Sequence, residues 1–140
     1  MIATDTNLLK WIAAAKAERR AYRAWQRALP LAPIHRGPDQ YGQPWFGVVD
    51  RLHAEHVAAR AALLAAASPA RTAHNVSLDS VDEYGWQRVR VGGIECGASL
   101  RVTPSGNTLL SMQHGTSVHP NVEGALSSWN FVGMLLDFNA

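Results

Sequence analysis

The apolar pattern of this chain changes period once, near Arg71, and that change limits what it can fold into. Before that point apolar residues recur at about 3.6, the spacing of a helix face. After it they alternate, the spacing of a strand face. Composition turns at the same place: residues 1–70 hold 18 of the 22 alanines, and residues 71–140 hold eight of the 11 glycines. Alanine favours helix and glycine favours turns, so a helical half precedes a β-rich half. The expected architecture is a single α+β domain over residues 1–140, with an N-terminal antiparallel helix pair (1–70) packed on a C-terminal antiparallel β-meander of three to five strands (71–140).

The first helix is expected from Asp5 to about Leu29, with Thr4, Asp5 or Thr6 as N-cap and Pro30 as its stop. Trp11, Ala14, Ala15, Tyr22, Trp25 and Leu29 fall on one face and predict its buried side. Three prolines and two glycines make residues 30–43 a connecting loop. Pro44 suits the first turn of a second helix, expected to run to about Ala67 and to end at Ser68-Pro69. Its inner face reads Trp45, Val48, Val49, Leu52, His56, Ala59, Leu63 and Ala66.

Trp86 to Val91 and Ile94 to Val102 alternate around Gly92-Gly93, a two-residue hairpin turn. That turn sets Val91 opposite Ile94, Arg90 opposite Glu95, Val89 opposite Cys96 and Arg88 opposite Gly97. A second hairpin is expected at Pro104 to Asn107, with Thr108 to Gln113 returning, and Asn75 to Leu78 can add an outer strand. In the tail, Gly124, Ser127, Ser128, Asn130 and Gly133 weaken a helix, which favours a short strand over residues 129–136.

Hydrophobic residues form 47% of the chain and charged residues 17%, a balance that supplies a core and excludes disorder as the main state. The single Cys96 allows neither an internal disulfide nor a cysteine-rich zinc site and suits a reducing compartment. The start of the chain lacks a basic-then-apolar leader, and Arg60 interrupts the most apolar stretch, Val57 to Ala67, which is far shorter than the ~20 residues a membrane span needs. A cytoplasmic protein with no membrane contact is expected.

No catalytic, cofactor or metal motif stands out. His53 and His56 are three apart, whereas helical zinc pairs sit at i and i+4, so a core His56 and a boundary His53 are the plainer reading. Cys96 reads as a small buried hydrophobe. The glycines around it lack the Gly-Lys-Ser/Thr of a phosphate loop, and no Gly-x-Ser-x-Gly elbow occurs. Glu18 lies within the apolar stripe of the first helix and needs a partner there, with His56 on the second helix or an indole N–H as candidates.

The unusual surface is cationic. Lys16, Arg20, Arg23 and Arg27 follow at helical spacings that project within about 60° of one another, with Arg19 beside them. Such a row is often only a solvated face. Arg36, Tyr41, Trp45 and Phe46 add arginine and aromatic residues of the kind found at interface centres, although Trp45 and Phe46 also serve as core staples. The leading expectation is a small non-enzymatic binding protein of inhibitor type that engages an acidic protein surface through Lys16, Arg19, Arg20, Arg23, Arg27, Arg36 and Tyr41. Small inhibitors of phages and mobile elements, immunity proteins and adaptors share this general make-up without sharing a motif with the chain. One alternative is a cone-like α+β ligand-binding protein or enzyme, with Glu18, His56 and Tyr22 as acid–base groups in a pocket between helices and sheet. The other is nucleic-acid binding, which the near balance of charge and the absence of a known motif disfavour.

Overall fold

The computed structural model describes residues 5–31, 45–113 and 115–138. Helix α1 spans Thr6–Ala28 and starts at Asp5, whose carboxylate accepts hydrogen bonds from the Asn7 and Leu8 amides at 2.9 and 3.2 Å. These are amides that the first helical turn leaves without partners. A 3-10 turn, Leu29–Leu31, follows, and helix α2 spans Trp45–Ala73. The pair is antiparallel: Asp5 Oδ2 meets His74 Nε2 at 2.9 Å at one end, and the Trp25 and His53 rings lie 4.6 Å apart toward the other.

Helix α2 does not end at Ser68-Pro69 but runs through it to Ala73. Pro69 offers no N–H to the Ala65 carbonyl, yet both residues are exposed, so solvent can serve that carbonyl. Beyond the proline, Ala70 is fully buried and Arg71 pairs with Glu123, contacts that hold the extra turn in place. Tertiary packing here outweighs the local breaker.

Five strands follow: β1 (Val76–Leu78), β2 (Trp86–Val91), β3 (Ile94–Val102), β4 (Thr108–Met112) and β5 (Gly115–His119), an open antiparallel sheet in sequence order. Val91 opposes Ile94 and Arg90 opposes Glu95, as the Gly92-Gly93 turn requires. Past Arg90 the expected register fails, because Arg88 pairs with Ser99 and not with Gly97. A bulge at Cys96, Gly97 and Ala98 takes up the difference. Gly97 has φ +86°, a conformation that a residue with a Cβ adopts only under strain.

The tail is helical where a strand was expected. Helix α3 (Val122–Ser127) and helix α4 (Trp129–Phe138) meet at Ser128, whose hydroxyl donates to the Ala125 carbonyl at 2.8 Å and accepts from the Phe131 amide at 3.3 Å. Phe131, Val132 and Leu135 are fully buried at i, i+1 and i+4, a helical spacing. Burial of that stripe outweighs the weak propensity of Asn130 and Gly133.

One core joins these parts. Leu8, Trp11 and Ala15 of α1, Leu63, Ala67 and Ala70 of α2, Val89, Leu100 and Leu110 of the sheet, and the α4 stripe form a single buried cluster. The Trp11 indole N–H donates to the Ser127 carbonyl at 2.9 Å and its ring lies 6.1 Å from that of Phe131, fixing α1 to the C-terminal helices. Trp11 of α1 thus turns inward, Trp25 is half-buried against His53 and His56 of α2, and the opposite side of α1 is set outward. Among the described residues, no helix is long and apolar enough to cross a membrane.

Candidate binding surface and cleft

The arginines of the sheet differ from those on the outer face of α1. Those of the sheet are satisfied internally: Arg88 reaches Glu95 at 2.8 Å, Arg90 reaches Asp79 at 2.7 Å, and Arg101 lies over the Trp86 ring. The hydrogen bond from Arg90 holds the Asp79 carboxyl below its ordinary range, and the same bond raises Arg90. Those of the outer face of α1 are not. Arg20, Arg23 and Arg27 are exposed, and among the described residues no carboxylate lies within ion-pair distance of them. Lys16 is also exposed but stands over the Trp129 ring at 5.9 Å, and Arg19 is half-buried and faces a cleft. The expected row is therefore three free guanidiniums, flanked by two cations that turn toward α4 and the cleft. Arg36 and Tyr41, with most of their loop, lie outside the described residues.

The cleft has a volume of about 460 Å³ and opens between α1, α2, β5 and the α3–α4 junction. Its size is typical of small-molecule sites. Glu18 Oε1 meets His56 Nε2 at 2.8 Å on its wall, so the buried imidazole and the carboxylate satisfy one another. Tyr22, expected in the core, is instead 45% exposed at the rim, with its ring 5.2 Å from His56. The three acid–base candidates do come together. His53 does not join them; it is exposed and packs on Trp25.

Across the cleft, Ser117 Oγ and His119 Nε2 are hydrogen-bonded at 2.7 Å. Burial pushes the His119 imidazole below its ordinary value, the Arg60 charge adds to that shift and Glu18 opposes it. Arg60 is half-buried and makes no hydrogen bond or ion pair among the described residues. One of its terminal nitrogens would lie 3.3 Å from a Cβ built at Gly124, so this glycine gives the guanidinium its room. Comparison with protein-family models, curated proteins and solved structures gives no match to the chain.

Sequence reasoning passed over Arg60, Ser117 and Trp129 as site residues. Arg60 carried a readable signal: it breaks an apolar run and lies four residues after His56, which places both toward one side of α2. Ser117 and Trp129 carried none, because β5 and α4 reach the cleft only through tertiary packing. Cys96 is half-buried, donates to the Val89 carbonyl at 3.3 Å and has its thiol pushed up by burial. That is the environment of an unreactive cysteine.

Proposed function

We propose that this is a binding protein of inhibitor or adaptor type, which acts in a reducing compartment such as the cytoplasm by holding an acidic protein partner along the outer face of α1. It works by association and not by catalysis. One observation carries the reading: the molecule spends carboxylates on Arg88 and Arg90 of the sheet and leaves Arg20, Arg23 and Arg27 without any among the described residues. Guanidinium forks match carboxylates in pairs of hydrogen bonds, and three on adjacent turns present a linear complement to an acidic strip. Charge of this kind also speeds encounter and rejects basic partners.

The test compares proteins retained from source-cell extract by the immobilised chain and by R20E/R23E/R27E. The expected result is an acidic protein held by the unaltered chain and lost from the variant. Identical retention by both would overturn the reading. Retention on duplex DNA that weakens with a log–log salt slope of roughly −3, as three guanidinium–phosphate contacts require, would point to nucleic acid instead.

A further inference from the structure

The cleft is a second feature, separate from the outer face of α1, and it has its own charge logic. Two guanidiniums, Arg19 and Arg60, face it, and one carboxylate, Glu18, answers them. Glu18 is already engaged by His56. Neither guanidinium therefore has an ion-pair partner among the described residues, and Arg60, half-buried, is the one packed against Gly124 beside the α3–α4 junction. An arginine so placed is a strong anion receptor, because partial burial strengthens its field and its planar fork donates two parallel hydrogen bonds to a carboxylate. Leu64 and Trp129 supply apolar wall to the same space. A volume of about 460 Å³ is far more than one inorganic ion needs.

We propose that the cleft binds a small organic monocarboxylate, with its carboxylate on Arg60 beside His119 and its apolar body against Leu64 and Trp129. The Glu18 charge on the neighbouring helix disfavours a doubly charged ligand such as phosphate. His119, with its proton affinity lowered by burial and by Arg60, stands beside the site as a neutral hydrogen-bonding group near pH 7. Tyr22 at the rim lies where a ligand enters. None of this depends on the outer-face arginines, so the two proposals succeed or fail separately.

Titration of the isolated protein with 1-naphthoate, followed by amide NMR and calorimetry, tests the assignment. The expected result is saturable binding that moves the Ser117, His119 and Gly124 signals. The neutral analogue 1-naphthalenemethanol should bind at least tenfold more weakly. Arg60→Gln should weaken naphthoate at least tenfold, and Lys10→Gln, at an exposed position away from the cleft, should leave it unchanged. Equal binding of acid and alcohol to the unaltered protein, inorganic phosphate binding as tightly as naphthoate, or unmoved signals at those three amides up to millimolar naphthoate would each overturn the proposal, whether or not the Arg60 variant folds.

Discussion

Glu18 and His56 meet across the helix pair, carboxylate oxygen to imidazole nitrogen at 2.8 Å, and each accounts for a polar group that the other would otherwise strand. His56 is only 7% exposed. Glu18→Ala should therefore lower unfolding free energy by about 1–3 kcal/mol, the cost of a buried polar group left without its partner. Glu18→Gln keeps an acceptor and should cost less. Urea denaturation of both variants checks the order, and an unchanged midpoint for Glu18→Ala would show the pair to be idle.

Gly97 carries the bulge that shifts the β2–β3 register. A Cβ there would meet nothing within 4 Å, so the whole cost of Gly97→Ala comes from its φ of +86°. Denaturant unfolding should show a loss of about 1–2 kcal/mol. A neutral result would mean the bulge relaxes without effort.

The hairpin itself was legible because its turn residues and alternation agree, and a glycine inside a strand pattern is a usual sign of a bulge. The helix pair was legible for the same reason: Asp5, the Trp11 stripe and the Glu18–His56 spacing all point one way. Two local readings failed where packing overrode propensity. Pro69 is carried inside α2 by the burial of Ala70, and Asn130 and Gly133 are carried inside α4 by the burial of Phe131, Val132 and Leu135. Half of the cleft was visible as Glu18, Tyr22 and His56. Arg60 of α2 completes that wall, and the facing wall belongs to β5, α3 and α4, whose approach to the helix pair is a product of the whole core and has no local sign.

Acid should reveal His119. Its folded-state proton affinity is depressed, first by burial and then by Arg60, below the ordinary value of 6.5. The unfolded chain then binds the proton more readily. The stabilising contribution is fully present above about pH 6.5 and is lost as pH falls from there to the folded-state value. Melting temperatures of the native chain and His119→Gln, measured from pH 8 to 5, should show the native chain losing more over that window. Parallel profiles would contradict the assignment.

Thermal unfolding of R20Q/R23Q/R27Q tests the central claim most directly, because that claim holds that the outer face of α1 does nothing for the fold. Glutamine keeps helix propensity and removes only charge and the fork. The account predicts a stability change below about 1.5 kcal/mol in total, the sum of three ordinary surface substitutions. A larger loss would show these arginines to be bound within the molecule, and so not free for any partner.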